Sequence, residues 1–173
     1  NYSESEFNAI EDTINEWKAK LNLPHYPKVF LVKKLLDTKD MFRLHATGNC
    51  YISATHGEGW GIPQAEAMLM GNPLIGIDKT GIADYLNEEV FYPCSTYYSQ
   101  VKEVSQIKYY KSDQQWLDIS DKDLSAKMLY VYNNRDKAKE MGEKGKQFVI
   151  DNFNYWKVGQ LMRERLEQIS RFI

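Results

Sequence analysis

The sequence contains few of the residues that mark disulfide-rich or membrane-spanning proteins. Only two cysteines occur in 173 residues, Cys50 and Cys94, with no C-x-x-C pair and no spacing typical of metal ligands. We predict that both are reduced thiols, with a single disulfide as the alternative. No apolar run approaches the roughly 20 residues that span a membrane, and the chain does not open on a signal peptide.

The sequence also lacks an excess of positive charge. It has 22 Lys and Arg against 24 Asp and Glu, a net charge of −2, so nucleic acid is a poor candidate partner. Hydrophobic residues make up 43% of the chain, which is enough for a real core. We therefore expect a soluble, cytoplasmic protein with no transmembrane segment. Attachment to a membrane periphery through a longer protein is the alternative.

Short, continuously apolar runs alternate with helical patterns in the first half of the chain. The apolar runs predict buried strands, and the intervening periodic segments predict helices. Strands separated by helices indicate a parallel sheet covered on both faces, hence an α/β, Rossmann-like fold. The predicted strands are 28–32, 49–54, 73–77 and 90–93, and the predicted helices are 3–21 (capped by Ser3), 38–47, 63–70 and 80–86.

The second half of the sequence is different in character. Residues 94–119 are polar and aromatic without a clear period, which predicts a long surface excursion, and helices follow at 120–133, 135–151 and 155–173. We expect the apolar face of the last helix to dock onto the domain rather than onto a membrane. We interpret residues 1–173 as one domain: a sheet part (1–93), the excursion (94–119) and C-terminal helices (120–173). The opening helix and the count of only four strands predict that earlier strands lie outside this sequence.

A glycine-rich elbow, HGEGWGIPQAEAMLMGNPLIG at 56–76, joins the second predicted strand to its helix. Glycines there permit positive φ, and they let a ligand approach the backbone and the amides at a helix N-terminus. The pattern is neither a Walker A motif nor a G-x-G-x-x-G motif. From the glycines alone, a structural turn and a binding loop at the carboxyl ends of the strands are equally acceptable.

Two glutamates favour binding at this elbow. Glu66 lies one turn into an apolar helix, where an unpaired carboxylate is costly, so it needs either a salt-bridge partner, solvent or a polar ligand such as a sugar hydroxyl. Glu58 lies within the glycine turn. We interpret His56 as an incidental loop histidine rather than a catalytic base, and His25 and His45 as structural.

The spacing Glu58-x7-Glu66 resembles the E-x7-E signature of retaining GT-B glycosyltransferases of the family-4 type, the glycosyl transferases group 1, which read like EGFGLPLLEAMACGVPVIA. Thr55 stands where that family often has Ser, and TGIADYL (80–86) is similar to its next motif. The segment before the elbow, Trp116 and the MGEKGKQFVIDNFNYW tail (141–156) are also similar to the family. The likeness covers most of residues 28–170.

This resemblance implies a role for each matching residue. Glu58 would accept hydrogen bonds from the donor sugar, where positive charge develops at the anomeric carbon, and Glu66 would hold the ribose hydroxyls. Leu36 and Met41 match the region that frames the base. Backbone amides would cradle the sugar and the diphosphate, and they belong to Gly59, Trp60, Gly61 and Ile62.

The implied reaction is retaining transfer of a sugar from a UDP-, GDP- or ADP-linked donor to an unknown glycan, lipid or protein, with no metal or cofactor required. One departure weakens the likeness: the family's diphosphate-binding Arg and Lys lie on segments absent here. Lys79 and the pair Lys33–Lys34 are candidates for that charge, although solvated surface lysines are the favoured interpretation. We therefore expect a donor-binding C-terminal GT-B half that is inactive without an N-terminal domain. The alternative is a non-catalytic Rossmann-like module for nucleotide binding or assembly.

Overall fold

The computed structural model describes residues 4–101 and 109–172, which form two compact units, Asn1–Asp40 and Met41–Ile173. The single domain expected for residues 1–173 stays a prediction. No helix in the described ranges combines the length and the apolar composition needed to cross a membrane. Cys50 and Cys94 are both free thiols, and burial raises the pKa of each to about 11.

The first unit is built around helix α1 (Glu4–Leu21), as its apolar period predicts. The predicted cap Ser3 lies outside the described residues. The strand predicted at 28–32 is wrong, because this segment forms no strand, and 84% of the Phe30 surface is exposed. A strand exists only when a neighbouring strand supplies hydrogen bonds, and an apolar run does not reveal whether that neighbour is present.

The second unit contains a three-stranded parallel sheet. Helix α2 (Thr38–Thr47) begins at the boundary between the units, and the strands are β1 (Tyr51–Ser53), β2 (Leu74–Ile77) and β3 (Tyr92–Cys94), in the order β1-β2-β3. In the register, Ile52 pairs with Ile75, which pairs with Tyr92. Three of the four predicted strands are thus confirmed, each shorter than predicted.

Helices cover both faces of this sheet. They are α3 (Ile62–Leu69), α4 (Asp121–Asn133) and α5 (Arg135–Asn152). Leu74 packs in one core cluster with Met68 of α3, whereas Ile75 and Ile77 pack in a second cluster with Val131 of α4. Because successive strand residues point to opposite faces, the two clusters lie on opposite sides of the sheet. The predicted α/β fold with helices on both faces is confirmed.

The segment 94–119 is more regular than its sequence predicts. It carries an antiparallel pair, β4 (Thr96–Gln100) and β5 (Gln115–Ile119), in which Ser99 pairs with Trp116. Leu117 and Ile119 of β5 are buried. These apolar residues are only two places apart in a polar stretch, which is too short a pattern to predict a strand.

The C-terminal helices begin where the sequence places them. Ser120 caps α4 by accepting a hydrogen bond from the Asp123 amide, at 3.4 Å. Helix α6 (Tyr155–Ile169) ends before the predicted Ile173, which lies outside the described residues, and none of its residues is buried. The expected docking of its apolar face is therefore wrong for the described part of the chain. Helical periodicity identifies an apolar face but not the surface that covers it.

Candidate functional site

The backbone conformation of the elbow requires a glycine at position 61. Gly61 has φ 85°, and a Cβ at this position would lie 3.0 Å from Cγ1 of Ile82. Within residues 4–101 and 109–172, no side chain caps the N-terminus of α3, and Pro63 stands in its first turn. The amides at a helix start suit an anion, and their role in binding stays a prediction.

A short 3-10 helix, η1 (Thr80–Asp84), supports the elbow from the next loop and confirms the short helix predicted at 80–86. The Glu58 amide donates to Oγ1 of Thr80, and the Gly81 amide donates to the Glu58 carbonyl, both at 3.0 Å. A Cβ on Gly81 would lie only 1.9 Å from the Gly59 carbonyl oxygen. The two loops therefore fix the backbone on both sides of Glu58.

Gln64 anchors the Glu58 side chain. Its Nε2 donates to Oε1 of Glu58 at 3.0 Å and to Oγ of Ser53 at 2.9 Å. Only 1% of the Gln64 surface is exposed, and its Oε1 has no hydrogen-bond partner among the described residues. Glu58 is half-buried, so one carboxylate oxygen is held by the protein while the second can accept from a ligand.

Glu66 faces a buried histidine. Nε2 of His45, in the last turn of α2, lies 3.9 Å from Oε2 of Glu66. This separation is too long for a hydrogen bond. The Glu66 side chain is 31% exposed and the His45 side chain 6%. The carboxylate thus combines access to solvent with a buried polar neighbour.

Tyr51 of β1 experiences the electrostatic field of both glutamates. Its pKa is raised first by burial and then by the negative charges of Glu58 and Glu66. Its ring centroid lies 5.4 Å from that of His45. Both glutamates thus act electrostatically on Tyr51, the first residue of β1.

An aromatic cluster fixes the tip of the elbow. The Trp60 ring stacks on Tyr85 at 5.0 Å between centroids and meets Phe153 edge-on at 5.1 Å. The Tyr85 hydroxyl donates to the Trp60 carbonyl at 2.6 Å. Burial, and then the charge of Glu58, raise the pKa of Tyr85 to about 12. Tyr85 therefore remains a neutral donor at physiological pH.

His56 connects the elbow to β5. Its Nδ1 lies 2.8 Å from the Leu117 carbonyl oxygen and 3.1 Å from Oδ1 of Asp118. The ring stacks on Trp116 at 3.8 Å between centroids, nearly parallel. His56 thus has a structural function that its sequence position does not reveal, since its partners are some 60 residues away in the chain.

The remaining predicted residues differ in their surroundings. Oγ1 of Thr55 is buried and has no hydrogen-bond partner in the part of the chain that the structure describes. Around Gly59 a Cβ would meet open space, and Ile62 is 61% exposed. Met41 is half-buried one turn before His45. Leu36 belongs to the first unit, and its role stays a prediction.

The lysines considered for the diphosphate have acidic neighbours. Nζ of Lys79 lies 3.5 Å from Asp78, and Nζ of Lys33 lies 2.5 Å from Glu11 within the first unit. Across residues 4–101 and 109–172, no three His, Cys, Asp or Glu side chains are grouped so that they could hold a metal ion.

The fold is similar to that of a known enzyme. No protein-family model matches the chain, and no curated protein does. Among solved structures, sucrose-phosphate synthase from Thermosynechococcus elongatus matches with a TM-score of 0.64 and 17% sequence identity. The match covers 95% of this chain but only 35% of the synthase, so the chain spans about a third of that enzyme. At this identity the likeness shows the fold alone, and it agrees with the predicted α/β, Rossmann-like fold.

Proposed function

We propose that this chain binds a nucleotide sugar, as the donor-binding part of a retaining glycosyltransferase of the E-x7-E type. The observation that supports the proposal is the position of the two glutamates around the start of α3: Gln64 holds the Glu58 carboxylate just before this helix, and Glu66 lies within it with a partly exposed carboxylate. Two carboxylates can accept from sugar hydroxyls, and free amides suit a diphosphate. A nucleoside diphosphate sugar carries both kinds of group.

The two glutamates have separate roles in this proposal. Glu58, anchored by Gln64, binds the donor sugar near its anomeric carbon, and Glu66 binds the ribose hydroxyls. The amides of Gly59, Trp60, Gly61 and Ile62 hold the sugar and the diphosphate, with Thr55 beside them. Met41 is assigned to the region of the base, and the corresponding role of Leu36 stays a prediction.

Isothermal titration calorimetry tests the binding proposal directly. UDP, GDP and ADP are titrated alone and as their glucose conjugates, and we expect at least one to bind. Glu58→Gln should weaken the sugar conjugate more than the bare nucleotide, whereas Glu66→Gln should weaken both. Glu167→Gln, on the exposed surface of α6, is the matched control and should change neither affinity. Absence of binding at millimolar concentration would reject the proposal, and equal effects of the two glutamate variants would reject the assigned roles.

Sugar transfer also needs positive charge to stabilise the leaving diphosphate. Lys79 and Lys33 each have an acidic neighbour, so we infer that an N-terminal GT-B domain supplies this charge and binds the glycan, lipid or protein acceptor. The chain alone should then bind donor without transferring sugar. Release of nucleotide from a bound conjugate by the isolated chain, faster than in buffer, would contradict this inference.

A further inference from the structure

We propose that His45 is a positioning residue for Glu66, and that it sets the preference of this site for a ribose over a deoxyribose. This inference rests on the proposed function, because it concerns the ribose contact of the same site. It starts from a histidine that the sequence assigns only a structural role.

The Nε2 atom of His45 is buried and has no hydrogen-bond partner among the residues that the structure describes. Buried polar atoms are nearly always paired, so an unpaired ring nitrogen requires an explanation. The nearest acidic group is the Glu66 carboxylate, whose Oε2 is 3.9 Å away. The gap exceeds a hydrogen bond by about 1 Å, so the two groups form one only if the carboxylate approaches the ring.

The charge on Glu66 determines which tautomer of His45 suits this position. A lone pair on Nε2 would face the negative carboxylate, whereas a proton on Nε2 can be donated to it. We therefore assign the proton to Nε2. With Nε2–H donated to Oε2, the second oxygen, Oε1, stays free to accept from a ribose hydroxyl.

The backbone of His45 is fixed by hydrogen bonds and its ring is packed, whereas the Glu66 side chain is partly exposed. The His45 carbonyl accepts from Nδ2 of Asn72 at 2.7 Å and from the Gly48 amide at 3.1 Å. The ring packs against Tyr51 at an angle of 59°. Glu66, by contrast, is 31% exposed at its side chain and lies in the first half of α3. A ligand that engages Oε1 would thus complete the contact with His45 and fix the carboxylate.

The comparison of ribose and deoxyribose ligands isolates this contact. UDP, GDP and ADP, and their 2′-deoxy and 3′-deoxy forms, are titrated into the wild type and its variants. We expect the wild type to prefer the ribonucleotide by about tenfold or more, the usual effect of a hydrogen bond to a charged group. His45→Phe removes Nε2 while keeping a planar ring, and it should lose most of this preference. His45→Gln can still donate and should recover part of it.

A purely structural role gives a different result. Loss of packing in His45→Phe would weaken ribonucleotide and deoxynucleotide equally and leave their ratio unchanged, which would overturn the inference. The inference would also be overturned if His45→Gln and Glu66→Gln both preferred ribonucleotide over deoxynucleotide as strongly as the wild type does. If His45 acts through Glu66, its loss has no further effect once Glu66 is changed, because residues in contact are not additive. The double variant His45→Phe with Glu66→Gln should then distinguish ribonucleotide from deoxynucleotide at least as well as Glu66→Gln alone. His25→Phe, an exposed histidine of the first unit, is the matched control.

The two proposals fail in distinguishable ways. If no nucleotide binds the wild type, the proposed function fails and the role of His45 fails with it. If nucleotides bind but the wild type does not distinguish ribose from deoxyribose, the ribose contact of Glu66 and the His45 inference are both rejected. If discrimination is present and survives in both His45 variants, only the His45 inference is rejected.

Discussion

Replacing Gln64 by leucine should separate the stability of the protein from its recognition of the sugar. Gln64 is buried in α3 and bridges Ser53 and Glu58 through one amide nitrogen. Its other polar atom, Oε1, has no hydrogen-bond partner among the described residues. Leucine has a similar volume but neither polar atom, so the substitution removes the bridge and the unpaired oxygen together.

The expected cost follows from these contacts. A hydrogen bond to a charged group contributes about 1.5–3 kcal/mol and one to a neutral group about 1 kcal/mol, whereas an unpaired buried acceptor costs about 1–3 kcal/mol. Glu58 is half-buried and can recover some hydration, so the lower values apply. Gln64→Leu should therefore lower the free energy of unfolding by only about 1 kcal/mol. Gln64→Ala also leaves a cavity in the core and should cost about 2–4 kcal/mol.

Sugar affinity should respond differently from stability. Without its anchor the Glu58 carboxylate samples several orientations, and ordering it again on binding should weaken the nucleotide sugar by about tenfold in both variants. The bare nucleotide should bind nearly as in the wild type, because Glu58 is assigned to the sugar.

Urea unfolding and calorimetry with the nucleotide and its glucose conjugate measure the two quantities. Gln147→Leu is the matched control, because Nε2 of Gln147 also donates to a carboxylate, Oδ1 of Asp151 at 2.7 Å, but on the exposed surface of α5. It should change stability by less than about 0.5 kcal/mol and leave both affinities intact. Unchanged sugar affinity in Gln64→Leu would refute the reasoning, as would an equal loss for sugar conjugate and bare nucleotide.

Two further predictions concern the loop that supports the elbow and the first turn of α4. Gly81→Ala should destabilise the protein by about 1–3 kcal/mol in thermal unfolding and weaken donor binding, because its Cβ would lie 1.9 Å from the Gly59 carbonyl oxygen. Gly159→Ala is the control: its Cβ meets open space in α6, so this variant should instead stabilise the protein by about 0.5–1 kcal/mol. The Ser95 amide and hydroxyl donate to Asp123 and hold its pKa below the ordinary 3.8. A lowered pKa in the folded state means that the ionised carboxylate stabilises the fold above about pH 4 and that this contribution is lost as pH falls further. Asp123→Asn should therefore cost about 1 kcal/mol at pH 7 after solvent screening, and the difference from wild type in urea unfolding should shrink below pH 4.

The parallel sheet is predictable from sequence because burial on both faces leaves a continuous apolar run. Leu74, Ile75 and Ile77 are all buried, and the predicted strand at 73–77 is correct. The run at 28–32 has the same composition but forms no strand. Composition reports that a segment can be buried, and it does not report whether a neighbouring strand is there to pair with it. The exposed apolar face of α6 shows the same limit for a helix.

The sequence identifies the two glutamates but not the residues that support them. Glu66 stands out as a charge in an apolar helix, and Glu58 stands out through its spacing from Glu66. Gln64 offered a similar signal, because Ala67 and Met68, three and four positions later, share its buried helix face. His45 and Tyr51 offered none, since α2 and β1 bring them to the elbow only through tertiary packing.

The two carboxylates differ in how far the protein orders them before a ligand arrives. Glu58 already accepts a hydrogen bond from a buried amide, whereas Glu66 stands 3.9 Å from a buried nitrogen that it has not engaged. Binding to a preorganised group costs less ordering than binding to a mobile one. The sugar contact should thus add affinity with little rearrangement, while the ribose contact should require the Glu66 side chain to settle against His45. For this reason substitutions at Gln64 should act mainly on the sugar, and substitutions at His45 mainly on the choice between ribose and deoxyribose.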